Sequence, residues 1–323
     1  MRRAFFIVGP TATGKSELGA DVARETDAEI VSADAFQIYR GLDLLTAKPD
    51  ALTLTKAPHH LIGTMALSEE MNAEKYRRAA MRAVDEINSR GRVAIILGGS
   101  GLYVKALTHG LAPLPTSDPE LREKLNAMSF DELRSQLNEL DPETARKIDV
   151  KNRRRLVRAL EICLLTGKPA SAQRKQWAVA ASLREARRAG VMASPGGVSH
   201  SEAATGVFVF RDRKELYERI NRRVEAMFEK GVIEEVRASG AISATASQMI
   251  GLREICELLE GRMSLSQCIA EIQQATRRYA KRQLTWFRRQ TNFLPLNLSL
   301  LSHNEAVKWI LLRMLSEVRT RDD

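Results

Sequence analysis

Residues 4–16 read Ala4-Phe5-Phe6-Ile7-Val8-Gly9-Pro10-Thr11-Ala12-Thr13-Gly14-Lys15-Ser16, and this stretch decides the fold. Its five consecutive apolar residues predict a strand buried on both faces of a parallel sheet. The next eight fit G-x-x-x-x-G-K-[ST] and open a helix-like stretch from Lys15 to Glu25. A strand before and a helix after separate a phosphate-binding loop from an accidental Gly-rich turn. In such a loop, backbone N–H groups and the positive helix end surround a di- or triphosphate. Lys15 supplies a point charge and the Ser16 hydroxyl can hold Mg²⁺.

Working outward, Glu29 to Ala33 predicts a second strand ending at Asp34, Met71 to Arg90 a charged helix, and Val93 to Leu97 a third strand closed by Gly98-Gly99. Strands alternating with helices imply an α/β sheet. An ordinary ATP or GTP hydrolase would carry a Mg²⁺-holding acid at a strand end, where this chain has Gly98-Gly99-Ser100-Gly101. The nearest acid at a strand end is Asp34. Ligands of open α/β sheets bind beyond the carboxyl ends of the strands, so Asp34 is expected to share a crevice with Lys15, the alternative being a turn or N-cap aspartate.

After Leu111 the prolines at 113, 115 and 119 break the pattern, and Glu120 to Leu165 reads as helices. Ala178 to Gly206, poor in large apolar residues, reads as a poorly packed loop. Val207 to Phe210 reads as a returning strand, followed by amphipathic helices to the end. The expected fold is α/β, a P-loop NTPase-like parallel sheet core with an inserted helical domain. Its parts are core over 1–114, insertion over 115–205 and core again over 206–323.

The chain has 323 residues, 44% hydrophobic and 28% charged, which excludes a small disulfide scaffold and a disordered segment. Fifty Lys and Arg against 40 Asp and Glu give a formal charge of +10, which suits a polyanionic partner. Cys163, Cys256 and Cys268 form no CxxC pair, arguing against zinc and disulfides and for a reducing cytoplasm. No window approaches the roughly 20 apolar residues of a membrane span, and no membrane partner is expected.

Read in order, the motifs resemble the tRNA dimethylallyltransferase (tRNA isopentenyltransferase) family. The matching blocks are Gly9 to Ser16, Ser32-Ala-Asp-Ala-Phe-Gln-Ile-Tyr39, Thr46-Ala-Lys-Pro49, Pro58-His-His-Leu-Ile62, Gly98-Gly-Ser-Gly-Leu-Tyr103, Arg155 to Glu161 with Thr166-Gly-Lys-Pro169, and Thr276 to Arg288. The resemblance implies transfer of a dimethylallyl group from its diphosphate to N6 of the adenosine 3′-adjacent to the anticodon. The loop residues Gly9, Pro10, Thr11, Ala12, Thr13, Gly14, Lys15 and Ser16 then hold a leaving diphosphate, with Mg²⁺ at Ser16. Asp34 matches the family's base, which takes the proton of a poor amine nucleophile. Lys15 and Arg223, in Arg219-Ile-Asn-Arg-Arg223, stabilise the departing charge, although unaided sequence reading would make Arg223 a solvated helix charge. Thr11 and Thr13 flank the reacting groups, and Ser100 stands for the family's usual threonine.

For tRNA the resemblance implies Asp34, Ala35, Phe36, Gln37, Ser100, Arg122, Arg154, Arg155, Arg158, Gln248, Arg253, Arg277 and Arg282, with Gln37 reading the adenine. Two acid-free basic stretches fit that demand: Lys151 to Arg158 with five cations, and Thr276 to Gln290 with six. A monomer is expected. His59 and His60 would face opposite sides of a strand, without a third ligand. Ala35, Leu45, Gly63 and Leu252 depart from the family's usual residues. The competing readings are an adenylate isopentenyltransferase, for which the insertion and basic stretches are superfluous, a small-molecule P-loop kinase, and an RNA-binding module with a vestigial loop.

Overall fold

A computed structural model describes residues 4–111, 114–149, 152–173, 206–290 and 292–322. Pro113, Lys151 and the expected loop from Ala178 up to residue 205 lie outside these residues. The chain divides into two compact units, residues 1–108 with 200–323, and residues 109–199.

The larger unit holds a sheet in the order β3-β2-β4-β1-β5-β6 with every pairing parallel. Its strands are β1 (Ala4–Val8), β2 (Glu29–Ala33), β3 (His59–His60), β4 (Ala94–Gly98), β5 (Gly206–Phe210) and β6 (Leu294–Asn297). The expected strands are present within a residue of their predicted ends. Strand alternation sends Phe5 and Ile7 to one face and Phe6 and Val8 to the other. The first face is covered through Leu18 of α1 (Lys15–Glu25). The opposite face packs against Tyr76, Ala80 and Val84, which stand in α3 (Ala73–Ser89), α2 being the short Ala51–Thr55. Full burial of such side chains contributes about 1.5–3 kcal/mol each, which explains why a strand without polar alternation lies mid-sheet.

At its carboxyl end β4 runs into α4 (Gly101–Thr108). A Cβ on Gly98 would stand 2.3 Å from the Ala33 carbonyl oxygen. The missing strand-end acid thus has a steric reason: β2 and β4 approach too closely there for a side chain.

The smaller unit is helical, as expected: α5 (Pro119–Ala127), α6 (Phe130–Leu140), α7 (Pro142–Lys147) and α8 (Arg153–Thr166). Asp118, Ser129, Asp141 and Asn152 each cap one of these helices through a side-chain oxygen. Their apolar faces meet at Leu125, Leu133, Leu137, Leu156 and Leu160.

The chain then returns through β5 to α9 (Arg213–Glu229), α10 (Val232–Arg237), α11 (Leu252–Leu259), α12 (Leu265–Phe287) and α13 (His303–Asp322). Here the structure corrects the expectation of helices to the end, because Leu294-Pro295-Leu296-Asn297 forms an edge strand against β5. Proline lacks an N–H for the ladder but is tolerated at an edge.

Candidate active site

The loop between β1 and α1 is held open by its backbone. Gly14 sits at φ 92 as the N-cap of α1, a conformation that favours glycine. A Cβ on Gly9 would lie 2.2 Å from the Val209 carbonyl oxygen. Thr13 is fully buried, and its hydroxyl donates to the Pro10 carbonyl at 3.0 Å. It therefore shapes the loop instead of flanking reacting groups with its side chain.

Three arginines address three successive loop residues. Arg211 Nε donates to the Thr13 carbonyl at 2.8 Å, Arg219 Nε to the Ala12 carbonyl at 2.9 Å, and Arg223 Nη1 to the Thr11 hydroxyl at 2.8 Å. From α12, Gln283 accepts the Thr11 N–H at 3.0 Å and donates to the Gly99 carbonyl at 2.9 Å. Arg211, Arg219 and Gln283 escape sequence reading. The four-residue spacing from Arg219 to Arg223, which puts both on one helix face, is the available signal.

Lys15 lies at the amino end of α1 with its Nζ 3.2 Å from the Pro10 carbonyl. Burial pushes its pKa down to about 8, against the pull of Asp34 and with a further push from Arg223. The Arg223 guanidinium is likewise held back by burial and supported by Asp34. These three groups, far apart in sequence, are therefore electrostatic neighbours. Lys15, Ser16, Ser32, Asp34, Gln37 and His59 border one cavity of about 20 Å³.

Asp34 is also the turn aspartate of the alternative reading: its Oδ1 accepts the Phe36 and Gln37 N–H groups at 2.9 and 3.3 Å. Both bonds fall on one oxygen, so the two readings coexist. Gln37 Nε2 donates to the Ala47 carbonyl at 2.9 Å. Ser100 is buried, accepts the Ala35 N–H at 2.9 Å and bonds with Tyr279, so its hydroxyl ties the ends of β2 and β4 to α12. Phe36 packs in an apolar cluster with Ile38, Met249 and Leu252. His59 and His60 part as expected: His59 borders the cavity, while His60 bonds to Glu29 at 2.7 Å.

Around this unit Gln248 and Arg253 are exposed, Arg277 donates to Asn221 at 2.6 Å, and Arg282 lies over the Tyr279 ring. In the helical unit the four expected arginines differ. Arg154 and Arg155 are exposed. Arg122 and Arg158 both bind the fully buried Glu161, at 3.0 and 2.6 Å. These two hold the helices together, a role hidden by reading the basic stretch only up to residue 158.

A diphosphate site takes a divalent cation through hard oxygen donors. The hydroxyls of Ser16 and Ser32 supply that chemistry at the cavity. Glu17, Asp21 and His303 also come together, but Asp21 is already paired with Lys56 and His303 at 2.9 Å each. Among the described residues no helix is long and apolar enough to cross a membrane.

The IPP transferase family model matches residues 37–290. The chain is 41% identical to tRNA dimethylallyltransferase 1 of Citrifermentans bemidjiense, over 88% of each chain. It is 40% identical to the tRNA dimethylallyltransferase of Akkermansia muciniphila, over 88% of this chain and 90% of that one. The crystal structure of the tRNA isopentenylpyrophosphate transferase from Bacillus halodurans aligns over the whole of both chains with a TM-score of 0.67 at 30% identity. Matched by that family model over most of its length and by these relatives over nearly all of theirs, the chain belongs to the IPP transferase family.

Proposed function

We propose that this protein transfers the dimethylallyl group of dimethylallyl diphosphate to N6 of the adenosine that follows the anticodon on its 3′ side in tRNA. The observation that carries the reading is the meeting of Lys15, Arg223 and Asp34, two cations for a leaving diphosphate and one carboxylate for a proton.

The loop from Gly9 to Ser16 receives the diphosphate through its amides. As the allylic C1–O bond breaks, its electron pair passes to the diphosphate, where Lys15 and Arg223 stabilise the growing charge. N6 bonds to C1, and its proton passes to Asp34. Ser16 would hold a divalent ion, Mg²⁺, which when bound shares in neutralising the diphosphate. Gln37, with Nε2 held by Ala47, offers its Oε1 to the adenine.

Because the target base must leave its stack, the opening needs phosphate clamps. On the catalytic unit Gln248, Arg253, Arg277 and Arg282 supply them; on the helical unit exposed Arg154 and Arg155 offer tRNA phosphate contacts of their own. Ala35, Phe36 and Ser100 shape the turn behind Asp34. Arg122 and Arg158 take part by fixing α8.

The test is mass analysis of nucleosides after incubation with Mg²⁺, dimethylallyl diphosphate and unmodified tRNA, beside an identical reaction with AMP. Prenylated adenosine from tRNA alone is expected. Product from AMP alone would assign the free nucleotide as acceptor, and product from neither would refute the reading.

A further inference from the structure

Arg219 stands on α9, one helical turn before Arg223, and, unlike Arg211, which pairs with Glu215, has no carboxylate partner among the described residues. Beyond the Thr13 carbonyl, Arg211 Nη1 donates to Glu215 at 2.6 Å and to the Leu298 carbonyl at 3.0 Å. Arg219 has the single bond from Nε to the Ala12 carbonyl, and among the described residues no carboxylate lies within ion-pair distance of it. Its Nη2 lies 3.3 Å from the point a Cβ on Gly14 would occupy, at the amino end of α1. The side chain is half-buried, and burial and then Arg211 act against its charge. A guanidinium drawn out of water beside other guanidiniums is unfavourable until an anion joins it. The fork of N–H groups it leaves unused matches a phosphate edge.

We propose that Arg219 is a second catalytic guanidinium, one that binds the leaving diphosphate at the α1 end of the loop while Arg223 binds it from the Thr11 side. The inference rests on the reading that the loop receives the diphosphate. Arg219 gains and loses no atom in the reaction. It stays protonated and stabilises the electron pair that the broken C1–O bond delivers to the diphosphate. The Ala12 carbonyl fixes the fork through Nε and leaves the terminal nitrogens for the ligand.

The experiment is calorimetric titration of inorganic pyrophosphate, with Mg²⁺ present, into wild-type protein and the variants Lys15→Ala, Arg219→Gln and Arg219→Lys. Lys15→Ala and Arg219→Gln should each weaken binding about 10- to 100-fold, the range of a charged hydrogen-bonded contact. Arg219→Lys, which keeps the charge but loses the fork, should fall between Arg219→Gln and wild type. Single-turnover transfer at saturating donor should fall in Arg219→Gln as well. Equal losses in Arg219→Lys and Arg219→Gln would mean that Arg219 only shapes the loop, overturning the proposal. Unchanged affinity in Arg219→Gln beside a loss in Lys15→Ala would overturn it and leave the diphosphate reading standing. Unchanged affinity in both would remove that reading too. A measurement independent of variant folding uses the wild-type chain: pyrophosphate should shield Arg219 from an arginine-directed dicarbonyl reagent, mapped by peptide mass, and unshielded Arg219 would count against the contact.

Discussion

Thr11 and Gln283 meet across 272 residues: the Thr11 amide donates to the Gln283 Oε1 at 3.0 Å, and the same side chain donates from Nε2 to the Gly99 carbonyl at 2.9 Å. One buried amide thereby ties the second variable residue of the phosphate loop to the turn after β4. Gln283→Leu leaves both backbone groups unpaired at a cost of about 1–3 kcal/mol. We expect a lower melting temperature together with a raised KM for the donor. A variant as stable as wild type with unchanged KM would show that the clamp has no part in setting the loop.

Lys15 predicts a pH dependence. Burial holds its pKa at about 8, below the ordinary 10.5, with Arg223 adding to the depression. The binding form is the charged one, so kcat/KM for the donor, which reports the free enzyme, should fall as pH rises through about 8. Arg223→Gln removes a like charge and should move that fall to higher pH while lowering the rate. A profile flat to pH 10 would contradict the assignment.

These two residues also mark how much of the site is legible in the sequence. Gly9 to Ser16 is contiguous, and its chemistry follows from spacing. Asp34 can be found because strand ends of a parallel sheet converge. Gln283 reaches the loop only through the packing of α12, which no local pattern encodes, while Arg219 is marked only by its four-residue spacing from Arg223, whose own role is legible by resemblance. Phe293 to Asn297 hides its strand because a proline inside a short apolar run looks like a break, when the edge of the sheet tolerates it. The basic stretch ending at Arg158 looks free of acids because Glu161, one helical turn further on, stands among the apolar residues of α8.

That last correction separates two groups of arginines. Glu161 is fully buried and receives Arg122, Arg158 and the Asp118 N–H. Removing one partner of such a carboxylate is costly. Arg158→Ala should therefore lower thermal stability, by about 1–3 kcal/mol given that its guanidinium is partly exposed. Arg154→Ala with Arg155→Ala should leave stability near wild type, weaken tRNA binding and reduce the slope of log affinity against log salt by about one for each phosphate no longer neutralised. Melting curves and filter binding at several salt concentrations distinguish the two; an unchanged salt slope would exclude Arg154 and Arg155 as phosphate contacts.

At the opposite end of β2, Glu29 is buried under Arg90, Arg92 and His60. Burial alone would raise its carboxyl, but hydrogen bonds from Arg90, His60 and Arg92 outweigh it and hold the pKa at about 2, below the ordinary 4.5. A folded-state pKa below the unfolded one gives stability that is present above pH 4.5 and lost as pH falls from there toward 2. Glu29→Gln should remove that part of the acid sensitivity and cost about 1–3 kcal/mol at neutral pH. Urea unfolding of both proteins between pH 3 and 7 measures it, and parallel pH profiles would contradict the role.

The central claim is that Asp34 takes the N6 proton while the phosphate loop holds the departing diphosphate. Single-turnover transfer of the prenyl group to unmodified tRNA by Asp34→Ala, with tRNA and pyrophosphate affinities measured on the same protein, tests it most directly. The account predicts a rate lower by about 10²- to 10⁴-fold, the range of a lost general base, with both affinities retained. A near wild-type rate would contradict it.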